Sequence, residues 1–450
     1  MDSDRPIPID IFLTTLEECM IELSDIKNHL SNATLLRQMH LIYGEDEATL
    51  DLQQKRIMWL GELFAGQYPQ HSGIRLFSAS GRTEVAGNHT DHQRGHVLCA
   101  SVNLDILAMA APNAENIIRI KSREYSKVDG VDLANLTPQE NELLHSAALI
   151  RGIAAGFHAR GLKTGGFDAY TISEVPKGSG LSSSASFEIM IATILNYLYN
   201  EGSVSPVTIA LISQSAENDF FGKPCGLMDQ CGCSIGGMMT IDFKNPRAPV
   251  VDAMSIDFEK YGYALIITNT GGSHADLNGD YASIPADMKK VARFFGKEVL
   301  RDVSEREMIE ALPALRPKVG DKAILRAMHY FADDKRVLLQ AAALQNNDIP
   351  QFLQSVNESG ISSWTLLQNI YSLKLPEEQP IGLGLAVSKQ VLGERGACRV
   401  HGGGFAGTVQ AFVPCDLAGE YIRSMEAVFG EGASMRLRIR NLPATELFLE

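Results

Sequence analysis

The chain has 450 residues, which is longer than the chains that commonly fold around a single hydrophobic core, so we expect two domains. Lys and Arg number 40 against 54 Asp and Glu, and the resulting formal charge of −14 disfavours a nucleic-acid or anionic-membrane surface. With 45% hydrophobic and 21% charged residues, the composition is typical of a folded globular protein.

The expected location is the cytoplasm. The first residues, MDSDRPIPIDIF, lack the basic start and apolar core of a secretory signal, and no apolar run is long enough to span a membrane. The seven cysteines are odd in number and scattered along the chain, which does not fit a disulfide framework.

Apolar periodicity and glycine positions predict the elements in chain order. Residues 8–66 are expected to be helical, and strands with tight loops are expected over 74–103. The later predictions are a helix over 141–157, a strand over 168–175, a buried helix over 187–199, a helix from Ser205 to about Asn218, and two strands flanking a glycine loop over 397–413. The predicted units are a helical N-terminal extension (1–60), an N-terminal domain (61–250) and a C-terminal domain (251–450).

A Gly/Ser loop, Pro176-Lys-Gly-Ser-Gly-Leu-Ser-Ser-Ser-Ala185, joins the predicted strand to the buried helix. The first turn of a helix has unpaired N–H groups, and Gly178 and Gly180 let the backbone approach an anion, so this loop is a candidate phosphate site. No Gly-Lys-Ser/Thr ends it, which excludes the common P-loop. A flexible connection is the alternative, but linkers seldom lead directly into a fully apolar helix.

Two acidic residues follow this loop in the sequence. Glu217 lies near the end of the Ser205 helix, and Asp229 is flanked by apolar residues and lies close to several glycines. Phosphoryl transfer needs one carboxylate for Mg²⁺ and often another near the attacking hydroxyl. The alternative is a pair of ordinary solvated acids.

The segment GRTEVAGNHTDHQRG, residues 81–95, is dense in short hydrogen-bonding side chains that suit a sugar. A metal site built from His89, His92 and His96 is an alternative, but neither the spacing nor the glycine-rich context matches zinc. The cysteines at 225, 231 and 233 lack a paired CxxC pattern and are better explained as buried hydrophobes.

Taken together, these segments resemble the GHMP kinases, and within them the galactokinases, from about Leu63 to the C-terminus. GRTEVAGNHTDHQRG is similar to the sugar-binding signature and VPKGSGLSSSAS to the ATP-phosphate loop. AENDFFGKPCGLMDQ, residues 216–230, resembles the segment that carries the metal and catalytic acids. HGGGFAG, residues 401–407, resembles a third motif that supports the phosphate loop.

The resemblance implies an α+β fold with an N-terminal α+β domain, a ferredoxin-like C-terminal domain and an active site between them. It implies transfer of the γ-phosphoryl group of ATP, with Mg²⁺, to the anomeric hydroxyl of a sugar, and galactose is the first candidate. The expected partners are the sugar and ATP, with no nucleic acid and no membrane, and a monomer is expected.

The resemblance also assigns roles to individual residues. Asp229 would face the anomeric hydroxyl as base or orienting group, and Arg82 would pair with Asp229 and stabilise charge on the phosphoryl group. Mg²⁺ would be held by Glu217 and a loop serine, taken here as Ser182. The residues expected to hold sugar hydroxyls are Asn88, His89, Asp91, Gly226 and Tyr281. The residues expected to bind the ATP phosphates are Lys177, Gly178, Ser179, Gly180, Leu181, Ser182, Ser183, Ser184 and Ala185.

The sequence departs from the family pattern in three ways. Asn88 stands where glutamate is usual, at a position that bonds a hydroxyl at the far end of the sugar, and it removes a charge while adding a donor. His92 stands where tyrosine is usual. The signature also begins late in the chain, so residues 1–60 form an extension that serves either extra packing, which we favour, or a partner-binding surface.

Two further functions are considered. One is a kinase of the same family for another sugar, such as a uronic acid, N-acetylgalactosamine or arabinose, and Asn88 is the residue that raises it. The other is a non-catalytic regulator that binds sugar and ATP. The presence of Ser184-Ala185, Arg82, Glu217 and Asp229 argues against the regulator.

Overall fold

A computed structural model describes residues 21–22, 26–71, 73–223, 225–271 and 277–448. The strands are β1 Ile21–Glu22, β2 Gly73–Ala86, β3 His96–Pro112, β4 Ile117–Ser122, β5 Val128–Asp132, β6 Phe167–Ser173, β7 Met238–Asp242, β8 Val250–Met254, β9 Tyr263–Asn269, β10 Ala397–His401, β11 Thr408–Pro414, β12 Ser434–Leu437 and β13 Thr445–Leu447. The helices are α1 Ile26–His29, α2 Ala33–Tyr43, α3 Glu47–Gln67, α4 Ser146–His158, α5 Ser183–Asn200, α6 Pro206–Ser215, α7 Met228–Ser234, α8 Asn278–Phe294, α9 Glu305–Glu310, α10 Leu312–Val319, α11 Asp321–Gln345, α12 Ile349–Ser362, α13 Pro380–Leu392 and α14 Ala418–Phe429. The mixture of helices and sheets confirms the predicted α+β class.

The strands form two sheets. The larger one has the order β1-β2-β3-β6-β4-β5, with β13 paired to β2, β7 paired to β3 and β8 paired to β7. The smaller one is antiparallel and has the order β10-β11-β9-β12. Helices separate β9 from β10 and β11 from β12, so this half has the ferredoxin-like β-α-β-β-α-β arrangement that the sequence predicts.

The elements around the Gly/Ser loop form where the sequence predicts them. The loop follows β6, and the buried helix begins earlier than expected, at Ser183. The Ser205 side chain accepts the backbone N–H of Thr208, and Pro206 occupies the first turn of α6. Helix α6 ends at Ser215 rather than near Asn218, because a π-helical turn over Ala216–Phe221 replaces its last residues.

The described part of the N-terminal extension packs against the larger sheet. Helices α1, α2 and α3 confirm the helical prediction for residues 8–66 over most of 26–66. The prediction is wrong at Ile21–Glu22, which form β1 and pair with β2, and residues 8–20 and 23–25 lie outside the described residues. The buried side chains of this layer include Leu35, Met39, Ile57, Leu60, Phe64, Leu76, Leu107, Met109, Ile172 and Leu447. Burial of one helix face on a sheet supports the packing interpretation of these helices.

Asp105 on β3 anchors the extension through a buried ion pair. Arg56 of α3 donates to Asp105 Oδ1 at 2.7 Å and to the Asp105 carbonyl at 2.9 Å. The Tyr43 hydroxyl donates to Asp105 Oδ2 at 2.8 Å, and Arg440 lies 3.5 Å from the same oxygen. Both the extension and the C-terminal segment therefore neutralise a carboxylate that is fully buried.

The division of the chain at residue 250 stays a prediction. Strand β8, Val250–Met254, pairs with β7 in the larger sheet. Strand β13, Thr445–Leu447, returns to pair with β2, so the C-terminal segment completes the sheet that the N-terminal half begins. Within the described ranges, no helix combines the length and apolar character needed to cross a bilayer.

Arg56→Ala is expected to lower the free energy of unfolding by about 3–5 kcal/mol, because it leaves the Asp105 carboxylate buried with fewer partners. The control is Lys55→Ala, which removes an exposed ion pair with Asp51 and should change stability by no more than about 1 kcal/mol. Urea unfolding of the full chain measures both. Equal small losses for the two variants would show that the extension is not anchored by this pair.

Candidate active site

Arg82 and Asp229 form an ion pair in the middle of the site. Arg82 lies on β2 at a register shift beside Gly81, and such a bulge re-aims the side chain. Asp229 lies in the first turn of α7. Arg82 Nε and Nη2 lie 2.9 and 2.7 Å from Asp229 Oδ1, and the hydroxyl of Ser182 donates to Oδ2 at 2.5 Å. The structure thus brings together three residues that the sequence singles out.

The pKa of Asp229 lies below its usual value. Burial raises this pKa, but the charge of Arg82 and the hydrogen bonds from Ser182 and Arg82 outweigh that effect. The carboxylate is therefore ionised at neutral pH, and 35% of its side chain stays exposed to solvent. An ionised, accessible carboxylate can orient a hydroxyl, although a low pKa makes it a weak base.

The Gly/Ser loop has the backbone conformation of an anion cradle. Gly178 and Gly180 have φ of +73° and +72°, and Ser182 has φ of +59°. The described contacts give Ser182 no side-chain cap on α5, so its hydroxyl does not cover the first N–H groups of that helix. Those N–H groups and the positive end of the helix dipole suit phosphate oxygens. The Lys177 ammonium lies 2.6 Å from the Tyr125 hydroxyl.

His401, in the glycine-rich 401–407 motif, and the adjacent Thr408 support the Gly/Ser loop. The hydroxyl of Thr408 donates to the Ser179 carbonyl at 3.2 Å, and the His401 ring lies 2.9 Å from Thr408 Oγ1 and 3.1 Å from Thr83 Oγ1. A Cβ at Gly180 would lie 3.0 Å from His401 Nδ1, so glycine permits this approach. Burial lowers the pKa of His401 well below its usual value, which keeps the ring neutral.

Two of the expected sugar-binding residues contact the same motif, and two others contact each other. His89 donates to the Gly403 carbonyl at 3.0 Å, and the Tyr281 hydroxyl donates to the Gly404 carbonyl at 2.9 Å. Asp91 lies so close to Gly226 that a Cβ there would overlap the Asp91 carboxylate. Burial, with a smaller contribution from the neighbouring His92, lowers the pKa of His89 to about 4, so its ring is neutral at pH 7.

Asn88 directly precedes His89, but its side chain lies in the interior. It is fully buried, and its amide nitrogen donates to Glu84 Oε1 at 2.8 Å and to the Gly402 carbonyl at 2.7 Å. Its amide oxygen accepts from Asn369 at 2.7 Å. Contact between Asn88 and a sugar therefore stays a prediction. Nothing in the sequence indicated that Glu84 and Asn369 would be the partners of Asn88.

Glu217 is 3% exposed and belongs to a buried acidic cluster. Its Oε1 lies 3.1 Å from Lys223 Nζ, and its Oε2 accepts from Gln230 at 2.9 Å. The same Gln230 nitrogen lies 3.0 Å from Glu188 Oε2, while Glu188 Oε1 has no hydrogen-bond partner among the described residues. Burial and the charge of Glu217 raise the pKa of Glu188 well above its usual value. Sequence reasoning missed Glu188, although an acid inside an otherwise apolar helix was a visible signal.

The donor chemistry here fits Mg²⁺. Glu217 and Ser182 offer a carboxylate and a hydroxyl oxygen, both kinds of ligand that suit Mg²⁺, and Glu188 adds an unpartnered buried oxygen beside Glu217. The described contact of the Ser182 hydroxyl is with Asp229 and not with Glu217. Among the described residues, no three His, Cys, Asp or Glu side chains form a metal cage. Mg²⁺ sites in kinases rarely need one, because water and substrate phosphates supply most of the ligands.

Comparison with known proteins gives consistent matches. A family model for the GHMP kinases N terminal domain matches residues 146–237, and one for the galactokinase galactose-binding signature matches residues 62–112. A galactokinase of Glaesserella parasuis serovar 5 (strain SH0165) is 30% identical over 361 residues, which cover 78% of this chain and 89% of that protein.

Solved structures share the fold. The Lactococcus lactis galactokinase complexed with galactose has a TM-score of 0.73 at 22% identity, covering 87% of this chain and 99% of that one. The Methanococcus jannaschii mevalonate kinase has a TM-score of 0.57 at 14% identity, covering 81% of this chain and 98% of that one. These two likenesses confirm the predicted fold.

Proposed function

The chain belongs to the galactokinase family of the GHMP kinases, and on this premise we propose that it transfers the γ-phosphoryl group of ATP to the anomeric hydroxyl of galactose. The family membership confirms the resemblance inferred from the motifs. The observation that carries the proposal is the ionised Asp229, held between Arg82 on one oxygen and Ser182 of the Gly/Ser loop on the other. This carboxylate links the proposed sugar site to the proposed phosphate site.

Asp229 is proposed to accept a hydrogen bond from the anomeric hydroxyl and to orient its oxygen toward the phosphoryl group. Arg82 is fixed by Asp229 and by the Gly180 carbonyl, so its positive charge lies beside the loop. That charge stabilises the transferring phosphoryl group, which carries charge on its outer oxygens in the transition state. In a loose transition state, such positioning supplies most of the catalysis, and a strong base is unnecessary.

The loop residues Lys177–Ala185 are proposed to bind the ATP phosphates through backbone N–H groups and serine hydroxyls. His89, Asp91, Tyr281 and the backbone at Gly226 are proposed to hold the sugar hydroxyls. The support is that His89 and Tyr281 both bond the Gly403–Gly404 carbonyls, while Asp91 lies beside Gly226, in the segment that leads to Asp229. Because Nε2 of the neutral His89 ring donates to the Gly403 carbonyl, Nδ1 is left as an acceptor for a sugar hydroxyl.

Mg²⁺ is proposed to be held by Glu217 and Ser182, together with substrate oxygens. The ion would supply positive charge that offsets the negative charge of the phosphate groups. The support is the burial of Glu217 and the unpartnered carboxyl oxygen of Glu188 beside it. A cytoplasmic location and a monomeric state stay predictions from the sequence.

A kinase for another pyranose is the second candidate, and the placement of Asn88 is the observation that favours it. An amide carries no charge, and the amide of Asn88 is bonded within the protein, so this residue offers the far end of a sugar neither the charge of the usual glutamate nor a free donor. The contacts of Asp229 with Arg82 and Ser182 support catalysis over a non-catalytic regulator.

The proposal is tested by ADP release from Mg·ATP with galactose, glucose, N-acetylgalactosamine, galacturonate, glucuronate and arabinose. We expect release with galactose, and Asp229→Asn should lower kcat by about 100-fold or more, because the oriented negative charge is lost. Asp219→Asn is the matched control, since it makes the same change at an exposed position of the same segment. Activity only with another sugar would transfer the proposal to the second candidate. Full activity of Asp229→Asn would contradict the mechanism.

The metal assignment has its own test. Glu217→Gln keeps the side-chain shape and should raise the Mg²⁺ concentration needed for half-maximal activity by about 10- to 100-fold. The same titration with Asp219→Asn should match the unmodified protein. An unchanged Mg²⁺ requirement in Glu217→Gln would remove Glu217 from the proposed metal site.

A further inference from the structure

Asn88 uses its hydrogen-bonding capacity inside the protein. Its two side-chain N–H groups go to Glu84 and to the Gly402 carbonyl, and its side-chain oxygen accepts from Asn369. An amide has two N–H donors and one oxygen, so no donor is left for a ligand. With the residue fully buried, its remaining lone pair has no route to a sugar.

The backbone of Asn88 is held as firmly as its side chain. Its N–H donates to Asp333 Oδ2 at 3.0 Å, and its carbonyl accepts from His329 Nε2 at 3.0 Å. Both partners lie on α11 and are fully buried. One residue thus ties strand β2 to helix α11 and to the loop that carries Gly402.

The charge of Glu84 explains why an amide occupies position 88. Glu84 is 4% exposed, and its Oε1 accepts from Arg399 Nη2 at 2.8 Å as well as from Asn88. Arg399 is fully buried and also donates to the Val85 carbonyl at 2.5 Å. A carboxylate at position 88 would face Glu84 and the Gly402 carbonyl, both acceptors, and would lose the two hydrogen bonds that the amide donates to them.

The groups that Asn88 and Asn369 hold are the ones next to the proposed sugar-binding residues. Asn369 donates to the Gly403 carbonyl at 3.1 Å, and His89 donates to the same oxygen at 3.0 Å. His89 directly follows Asn88 and has φ of +62°, a left-handed conformation that is uncommon for a residue other than glycine.

We propose that Asn88 is a positioning residue, coupled to Glu84, which sets the conformation of His89 and of the Gly402–Gly403 backbone and does not itself contact the sugar. The inference deepens the proposed function and rests on it for the identity of the site. It replaces the expectation that position 88 bonds a hydroxyl at the far end of the sugar.

The first test compares galactose with 6-deoxygalactose, which lacks the hydroxyl farthest from the anomeric carbon. Asn88→Ala and Asn88→Asp should lower kcat/KM for both sugars by a common factor of about 10 to 100, because loop geometry is lost. The ratio of the two kcat/KM values should stay within about 3-fold of the unmodified protein, since no direct hydroxyl contact is removed. This ratio does not depend on how much of a variant is folded. A fall in the preference for galactose by 10-fold or more would show direct contact and overturn the proposal.

The second test is a double-mutant cycle on thermal stability, which needs no sugar turnover. Asn88→Asp should lower the Tm, because a carboxylate then faces Glu84, and adding Glu84→Gln should restore most of the loss by exchanging the amide and the acid. Asn116→Asp makes the same change at an exposed position with positive φ and should leave the Tm unchanged. Additive losses in the double variant would refute the coupling. Absence of galactose turnover by the unmodified protein would instead refute the proposed function, with the cycle still reporting on Asn88.

Discussion

The ion pair between Arg82 and Asp229 is the interaction on which the site depends, because it joins segments that are far apart in sequence. Arg82 comes from β2, Asp229 from α7, and Ser182 and the Gly180 carbonyl come from the Gly/Ser loop. A half-buried carboxylate is costly without a cation. The same pair keeps Asp229 ionised and fixes the arginine charge beside the loop, so structural and chemical roles coincide.

The support beneath this pair comes from the meeting of the two sheets. β2 belongs to the larger sheet, while β10 and β11 belong to the smaller one. Their contacts are buried and polar, with Arg399 on Glu84, Gln410 on Thr83 and His401 on Thr83. If the sheets separate, these polar side chains lose their hydrogen-bond partners, and each would then have to be rehydrated. Assembly of the site is therefore tied to the docking of the two sheets.

The sequence predicted what depends on local pattern and on motif order. The strand–loop–helix context of residues 176–185 came from local pattern, while the α+β class and the roles proposed for Arg82 and Asp229 came from the resemblance to the GHMP kinases. The placement of Asn88 did not, because it is decided by Glu84, Arg399 and Asn369, and Asn369 lies 281 positions away. Glu188 was missed for a related reason, since helical periodicity reports that a face is buried but not which polar partner lies against it. The π-helical turn that replaces the end of α6 and carries Glu217 has no marker in periodicity either.

The most direct test of the central claim is the position of the phosphate in the product, measured by ³¹P NMR after incubation with Mg·ATP and galactose. The account predicts a sugar phosphate whose phosphorus couples to the anomeric proton and which forms in step with ADP. Coupling to the protons of C6, or ADP formation without any sugar phosphate, would contradict the account, because the proposed site orients the anomeric hydroxyl at Asp229.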